Sequence, residues 1–396
     1  MTDQRSTLSF LRDLIAFPTV SRDPNWALIE YCADYLRSIG AVVEIIAADS
    51  GNKANLYATI GSNMVPGVML SGHTDVVPVD GQLWTKPPFE AVVESGRVYG
   101  RGTADMKGFV AAALSCAGIA AQRHLQTPLQ TPLHLALSYD EEIGCVGVRS
   151  LIDMLAAAPV KPAMCIVGEP TAMAIATGHK GKTAIEAACV GSAAHSALAP
   201  QAVNAIHLAC DLIAQIRHLQ DDMITDGAQD SAYDIPYTTL HAGLITSGVA
   251  LNIVPDHAVV TFEIRNLAAD DPEEILRRLR RAIAPVIAVA RKRAAEADIV
   301  FKVINSYPGL ETSLDEAVVA MVAELTGRDE RIKVAFGTEG GLFSQRLGIP
   351  AVVCGPGSGI CPLNSFLISF TKVKIESVSL KIGIIIVKFF IFFSII

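Results

Sequence analysis

Short apolar runs alternate with amphipathic stretches through the first 180 residues of the chain. The runs "AVVEIIAA", "GVMLSGHTD", "LHLALSYDEE" and "AMCIVGEP" are predicted as strands, because short runs rich in branched apolar residues are typical of buried strands. Two helices are predicted beside them. One opens at Asp23-Pro24 and closes at Gly40, and the other covers "KGFVAAALSCAGIAAQ". This alternation indicates the α/β class, in which helices cover both faces of the sheet.

The pattern changes at about residue 179. Four further strands are predicted over "KTAIEAACVG", "YTTLHAGLIT", "HAVVTFEIRNL" and "ADIVFKVI", with helices near residues 203–219 and 272–293. Strands and helices in this proportion indicate a separate α+β domain. We therefore predict an inserted domain over residues 179–306 within a catalytic domain formed by residues 1–178 and 307–396.

The composition narrows the classes of function. The 396 residues are 51% hydrophobic, which is enough to bury the cores of two domains. The net charge is −8 and there is no run rich in lysine or arginine, so a nucleic-acid partner is not expected. The eight cysteines form no CxxC pair and most lie in apolar runs, as reduced core cysteines of a cytoplasmic protein do. The charged N-terminus is patterned like a helix and does not resemble a signal peptide.

The last part of the chain has a different composition. From Gly359 onward there is no alanine, and the sequence ends in "KIGIIIVKFFIFFSII". The last fifteen residues are almost wholly apolar, but they fall short of the roughly 20 that span a bilayer, and Lys388 interrupts them. Three interpretations stay open: a sequence altered by frameshift or replacement, a buried terminal strand or helix, and a membrane anchor. The short length and the lysine weigh against the anchor.

Histidine and acidic residues follow the predicted strands or precede the helix between them. They are His73 and Asp75 in "SGHTDVV", Asp105 in "GTADMKGF", Asp140, Glu141 and Glu142 in "SYDEE", and Glu169 in "VGEPT". Taken singly, they are explained by a surface turn, a helix N-cap or a solvated acidic turn. Because ligands bind outside the carboxyl ends of strands in open α/β sheets, the joint pattern favours a divalent-metal site. Mixed imidazole and carboxylate ligands suit zinc, with cobalt or manganese as substitutes.

Several longer motifs carry a resemblance to a known family. They are "SGHTDVVPVDGQLW", "YGRGTADMKGF", "SYDEEIGCVGV", "IVGEPT", "HKGK", "AHSALAP", "ALNIVP" and "GTEGGLF", in order between about residue 5 and about residue 358. They resemble the co-catalytic metallopeptidases that include aminoacylase, succinyl-diaminopimelate desuccinylase and acetylornithine deacetylase, and most of all the acetylornithine deacetylases. The resemblance implies a zinc-peptidase-like catalytic domain with a mixed sheet flanked by helices, and an inserted lid and dimerisation domain.

The resemblance also implies roles for the acids and the histidine of the catalytic domain. Two Zn²⁺ ions are expected, and Co²⁺ or Mn²⁺ could replace them. The implied ligands are His73 and Glu169 for the first metal, Glu142 for the second, and Asp105 between the two, through a cis peptide to Met106. Asp75 would orient the imidazole of His73. Glu141 would be the general base that takes a proton from a bridging water and delivers it to the leaving amine.

Three residues of the inserted domain match functional positions of the family. His195 in "AAHSALAP" resembles the lid histidine that reaches the partner subunit's site and stabilises the oxyanion. Asn252 in "LNIVP" and Arg265 in "FEIRN" match substrate-binding positions, and an arginine suits the α-carboxylate of an amino acid. Without the resemblance, His195 reads as an ordinary loop residue and Arg265 as an exposed strand arginine.

One expected ligand is missing from the sequence. The family supplies a histidine after the glycine turn at "VCGPGSG" as the last ligand of the second metal, but here the nine histidines end at His257. The second site is therefore predicted to be weak, with Cys361 as a conceivable substitute.

The implied function is hydrolysis of N2-acetyl-L-ornithine to L-ornithine and acetate in arginine biosynthesis, by a cytoplasmic homodimer and with reduced activity. Two alternatives stay open. One is a related N-acyl amino-acid hydrolase or succinyl-diaminopimelate desuccinylase, because such enzymes share the metal chemistry. The other is a catalytically impaired relative that binds or dimerises.

Overall fold

The computed structural model describes residues 5–357 and the backbone of Ile368–Ser369. These residues divide into two compact units. The first unit contains the described residues up to Gly178, Leu310–Lys333 and the described residues from Thr338 onward. The second unit contains His179–Gly309 and Val334–Gly337, so the predicted insertion of residues 179–306 falls within it.

Helices and strands are interspersed along the described part of the chain. The helices are α1 (Thr7–Ala16), α2 (Trp26–Ser38), α3 (Lys107–Gln126), α4 (Val148–Ala157), α5 (Ala205–Thr225), α6 (Pro272–Ala290), α7 (Ala317–Thr326) and α8 (Gly340–Leu347). The strands are β1 (Val42–Ala47), β2 (Ala54–Ile60), β3 (Val68–His73), β4 (Val92–Glu94), β5 (Arg97–Tyr99), β6 (Leu133–Ser138), β7 (Met164–Val167), β8 (Ile175–His179), β9 (Lys182–Val190), β10 (Ala194–His195), β11 (Thr239–Ser247), β12 (Ile253–Val254), β13 (His257–Arg265), β14 (Asp298–Tyr307), β15 (Leu310–Glu311), β16 (Arg331–Val334), β17 (Ala351–Val353) and β18 (Ile368–Ser369).

The larger sheet among the described residues is mixed. Its order is β1-β2-β6-β3-β7-β17-β8-β15, with β16 beside β8. The central strands β6, β3, β7 and β17 run parallel to one another, so their carboxyl ends lie at one edge. Every residue of β3 and β6 is buried, because helices cover both faces of the sheet centre. This arrangement confirms the predicted α/β class with a mixed sheet flanked by helices.

Helix α2 begins later than its sequence signal. Asp23-Pro24 predicts the start, but the helix begins at Trp26. Asn25 occupies the N-cap position without capping the helix by its side chain. Its amide group instead donates to the carbonyl of Ala54 at 2.9 Å and accepts from the N–H of Ala54 at 2.9 Å. A long-range bond to the start of β2 therefore replaces the local cap.

The second unit has a core of its own. Strands β11, β13, β9 and β14 form an antiparallel sheet in that order. Apolar side chains of helices α5 and α6, such as Leu212 and Leu279, share this core with side chains of the sheet such as Phe262. Alternate residues of β9 and β13 are buried, which is the pattern of a sheet covered on one face.

No helix within residues 5–357 combines the length and the apolar character that crossing a bilayer requires. The three interpretations of the C-terminal sequence concern residues outside the described part of the chain, apart from the backbone of β18.

Because His134 is buried, we expect the protein to lose stability in acid. Its ring stacks on Tyr57 with the centroids 5.5 Å apart, and its Nδ1 lies 3.0 Å from Oγ1 of Thr59. Burial lowers the pKa of His134 to about 4, whereas a histidine of an unfolded chain has a pKa of about 6.5. The unfolded chain therefore binds more protons below about pH 6.5, so the free energy of unfolding falls as the pH drops from about 6.5 towards 4.

We expect the His134→Gln variant to lose less stability in acid than the wild type. When the pH falls from about 7 to about 5, the free energy of unfolding of the wild type should drop by about 2 kcal/mol more than that of the variant. Urea denaturation followed by circular dichroism at both pH values measures it. The exposed His218 gives a matched control, because His218→Gln should follow the wild type. Equal pH dependence of His134→Gln and wild type would contradict the prediction.

Candidate metal centre

His73 is the centre of a cluster at the carboxyl ends of the parallel strands. It is the last residue of β3 and is 1% exposed. Its Nε2 lies 3.0 Å from Oδ1 of Asp105 and 3.4 Å from Oε1 of Glu169. Asp105 lies two positions before the start of α3. A cis peptide bond joins it to Met106, as the resemblance predicts. Three segments that are distant in sequence therefore meet at one imidazole.

Asp75 contacts the other nitrogen of the ring, but mainly through its backbone. The Nδ1 of His73 lies 2.9 Å from the carbonyl oxygen of Asp75 and 3.5 Å from its carboxylate oxygen. A carbonyl can only accept, so this contact places the proton on Nδ1 and leaves Nε2 facing the carboxylates. If Asp75 orients the ring of His73, as predicted, it does so mainly through its backbone carbonyl, and its carboxylate makes the longer contact.

The side chains form two overlapping groups with the spacing of metal ligands. One ligand atom each of His73, Asp105 and Glu142 lie within 4.8 Å of one another, and so do those of His73, Glu141 and Glu169. All four residues predicted as ligands are therefore brought together, and the predicted base lies among them. Because imidazole and carboxylate oxygens are the ligands of zinc and related cations, this donor set fits a divalent metal.

The electrostatics of the cluster also fit cations. Burial, reinforced by neighbouring carboxylates, raises the pKa of Glu142 to about 8 and that of Glu169 to about 7. The same causes raise the pKa of Glu141 well above its ordinary value. Burial acts to lower the pKa of His73, but the charge of Glu169 and the bonds to nearby acids outweigh it and raise that pKa. Carboxylates packed together in this way need protons or a cation to balance their charge.

The carboxylate of Asp75 binds the turn that carries two of the acids. It accepts from Oγ of Ser21 at 2.7 Å. The backbone N–H of Glu141 donates to its Oδ1 at 3.1 Å, and the N–H of Glu142 donates to its Oδ2 at 3.3 Å. Burial acts to raise the pKa of Asp75, but bonds from His73, Ser21 and the backbone outweigh it, so the pKa is lowered. Asp75 therefore stays anionic and fixes the position of the backbone of Glu141 and Glu142.

Glu339 belongs to this region and was missed from the sequence. It is 1% exposed, occupies the N-cap position of α8, and accepts from Oγ of Ser71 at 3.1 Å. Ser71 lies two positions before His73 in β3, so both side chains point to the same side of the sheet. Burial raises the pKa of Glu339 to about 7. The acid in the middle of the motif "GTEGG" is the signal in the sequence that could have identified Glu339.

Cys145 was also missed and contacts the predicted base. Its Sγ lies 3.2 Å from Oε1 of Glu141. Burial, followed by the charge of Glu141, raises the pKa of Cys145 well above its ordinary value, so the group stays a thiol and its S–H donates a hydrogen bond to the carboxylate. This contact limits the rotation of the Glu141 side chain.

His195 and Asn252 lie close together in the second unit. Exposed His195 ends β10, which pairs with β12, and its Nδ1 accepts from the N–H of Ala197 at 3.2 Å. The carbonyl of Asn252 accepts from the N–H of Ser196 at 3.0 Å. Two residues with predicted roles at the substrate are thus held on neighbouring turns.

Arg265 ends β13 in the four-stranded sheet, and its guanidinium is oriented by a carboxylate. Its Nε lies 3.0 Å from Oε1 of Glu263, and its Nη2 lies 3.4 Å from Oε2 of the same residue. Nη1 lies 3.5 Å from the hydroxyl of Tyr307. The remaining N–H groups of the guanidinium are the ones a substrate carboxylate could use. Arg265 is about half-buried, so it is not the ordinary exposed strand arginine that it would be without the resemblance.

The chain is similar to several known proteins. Residues 69–368 match the model of the family described as Peptidase family M20/M25/M40. An acetylornithine deacetylase from Proteus mirabilis is 33% identical over 359 residues, which cover 89% of this chain and 88% of that protein. A metallo-carboxypeptidase of the M20 family from Sulfolobus solfataricus is 21% identical, with a TM-score of 0.73 over 98% of this chain and 99% of that chain. A dinuclear metal-binding peptidase of the M20 family from Bacillus subtilis is 15% identical, with a TM-score of 0.64 over 98% and 95% of the two chains. The solved structures share the fold predicted from the sequence.

Proposed function

Because the chain belongs to peptidase family M20/M25/M40, whose members are metal-dependent hydrolases, we propose that it removes the acetyl group from N2-acetyl-L-ornithine. The products are L-ornithine and acetate, and we place the reaction in arginine biosynthesis in the cytoplasm. The observation that carries the proposal is the group of buried His73 and Glu169 with half-buried Asp105 and Glu142 around the acid Glu141. The identity of 33% to an acetylornithine deacetylase over most of both chains supports the choice of substrate.

The chemistry divides between the metals and the protein groups. Divalent cations held by the His73 cluster would polarise the scissile carbonyl and lower the pKa of a water molecule. Glu141 takes a proton from the attacking water, whose oxygen forms the new bond to the acyl carbon. When the C–N bond breaks, Glu141 returns that proton to the leaving nitrogen. The thiol of Cys145 keeps the carboxylate of Glu141 in one orientation during both transfers.

The second unit would supply the groups that bind the substrate. We propose that His195 donates a hydrogen bond to the oxyanion in the partner subunit's site, that Asn252 binds the substrate, and that Arg265 grips its α-carboxylate. The bidentate contact with Glu263 supports the last role, because it fixes the plane of the guanidinium before substrate arrives.

A panel of N-acyl amino acids tests the substrate. We expect kcat/KM to be highest for N2-acetyl-L-ornithine, ahead of other N-acetyl amino acids and of N-succinyl-diaminopimelate. Arg265→Lys should raise KM by about 10-fold because a bidentate contact is lost, while His195→Ala should lower kcat by about 100-fold. Equal turnover of all acetylated amino acids would sink the specific claim and leave a general N-acyl amino-acid hydrolase.

We further propose that two copies of the chain associate through the second unit. Strands β11 and β14 form the two edges of its sheet and expose large apolar side chains. Leu244 is 67% exposed and Ile245 49% on β11, and Val300 is 52% exposed and Ile304 49% on β14. Unpaired edge strands with apolar side chains favour pairing with another chain. Sedimentation velocity should give the mass of two chains for the wild type and of one chain for Leu244→Lys. A monomeric wild type at micromolar concentration would refute the dimer.

The missing histidine favours a second candidate, an impaired relative that retains the fold. No histidine follows His257, and the proposed substitute Cys361 lies outside the described residues. Activity that stays at background with saturating metal would support this candidate against the deacetylase.

A further inference from the structure

A buried lysine holds the turn that carries the acid–base residue. Lys53 and Asp140 are 8% and 9% exposed, and Nζ of Lys53 lies 2.6 Å from Oδ1 of Asp140. The two residues are 87 positions apart, and Asp140 directly precedes Glu141. The chemistry proposed above uses neither of them. Because buried charges are rare unless they are paired, the pair calls for an explanation.

The same ammonium group reaches the support of Asp75. Lys53 donates to the backbone carbonyl of Ser21, and the hydroxyl of Ser21 donates to Oδ2 of Asp75 at 2.7 Å. Asp75 in turn accepts from the backbone N–H groups of Glu141 and Glu142. Lys53 therefore binds both Ser21, which supports Asp75, and Asp140, which begins the acidic turn. The contacts close a ring around the base of this turn.

The backbone of Asp140 needs such support. Its φ is +54°, in the left-handed region, which an aspartate enters more readily than most residues but still at some cost. Its carbonyl accepts from the N–H of Val146 at 3.0 Å, and the carbonyl of Glu141 accepts from the N–H of Cys145 at 2.9 Å. The conformation of residues 140–146 therefore starts from a strained residue whose side chain is fixed by Lys53.

We propose that the ion pair of Lys53 and Asp140 positions the turn of residues 140–146, and through it the side chains of Glu141 and Glu142 against Asp75. Buried ion pairs are weak sources of stability because desolvation offsets their attraction, so a positional role accounts better for this one. The effect on catalysis rests on the proposed function, whereas the positioning of the turn can be measured without substrate.

Hydrogen exchange of the turn tests the proposal directly. Lys53→Met removes the ammonium at similar length. Asp140→Asn removes the negative charge, and asparagine also tolerates the left-handed backbone. In both variants we expect amide exchange in a peptide that covers residues 140–146 to be about 10-fold faster, with exchange in α5 unchanged. Arg346→Met is the matched control, because it breaks an exposed ion pair with Asp153 of the same 2.6 Å length.

Kinetics and metal binding give two further readouts. In each single variant we expect kcat to fall by about 10–100-fold with little change in KM, and zinc affinity to fall because Glu142 is displaced. The double variant Lys53→Met/Asp140→Asn should lose no more activity or zinc affinity than Lys53→Met alone, because both substitutions remove the same interaction.

Unchanged exchange and unchanged kcat in folded variants would overturn the proposal. If Lys53→Met does not fold, Asp140→Asn still decides, because the ammonium of Lys53 keeps the carbonyl of Ser21 as an acceptor and can also donate to the amide oxygen of the asparagine. Faster exchange in a protein whose wild type hydrolyses no N-acyl amino acid would support the positioning and refute the proposed function. An active wild type with unchanged exchange in the variants would refute the positioning alone.

Discussion

Replacing Glu141 with glutamine is expected to lower kcat by about 1,000-fold while leaving the metal content unchanged. Glutamine keeps the shape of the side chain but cannot accept a proton from water. The thiol of Cys145, 3.2 Å from Oε1, can still donate to the amide oxygen, so the geometry should be retained. Stopped-flow or steady-state assays on N2-acetyl-L-ornithine measure the loss, and metal analysis of the purified protein measures the content.

Two comparisons separate a base from a ligand at this position. Glu141 also lies within ligand distance of His73 and Glu169, so the geometry alone allows a second role. If Glu141→Gln loses about one metal per chain, Glu141 binds the metal and the assignment as base is wrong. Glu141→Asp keeps a carboxylate that is shorter by one methylene. We expect it to retain more activity than Glu141→Gln, because general-base catalysis depends on reach as well as basicity.

Much of the site could be predicted because its residues follow local patterns. The strands β3, β6 and β7 are apolar runs; β3 ends at His73, and β6 and β7 are followed within a few positions by Glu141 and Glu169. Parallel strands bring such ends to one edge, so the periodicity of the sequence was sufficient to predict the meeting.

The elements that escaped prediction depend on contacts between distant residues. In β2, Asn55 interrupts the apolar run, yet it is fully buried because its amide donates to the carbonyl of Gly147 at 2.8 Å, 92 positions away. Glu339 binds Ser71 across 268 positions, and Lys53 binds Asp140 across 87. A polar residue that is satisfied by a distant partner has no local signal, and this explains why these residues were missed.

Chelation should abolish hydrolysis, and zinc returned to the metal-free protein should bind in two unequal steps. The proposed first site would have the imidazole of His73 with the carboxylates of Asp105 and Glu169, which lie 3.0 and 3.4 Å from its Nε2. The second would have Asp105 and Glu142 without the family's last histidine. Loss of an outer partner alone weakens metal affinity by about 10–100-fold, so loss of a direct ligand should weaken it by at least about 100-fold.

Isothermal titration of the metal-free protein, with activity followed in parallel, distinguishes the sites by their acids. Under the proposed assignment of one acid to each metal, Glu169→Gln should remove the tight step and Glu142→Gln the weak one. In the wild type, activity should follow the weak step and rise with added zinc, since both cations are needed to activate water beside Glu141. Two equally tight steps, with full activity and no added metal, would show that another residue supplies the missing ligand. The weakness of the second site would then be wrong, while the first site and the fold that builds it would stand.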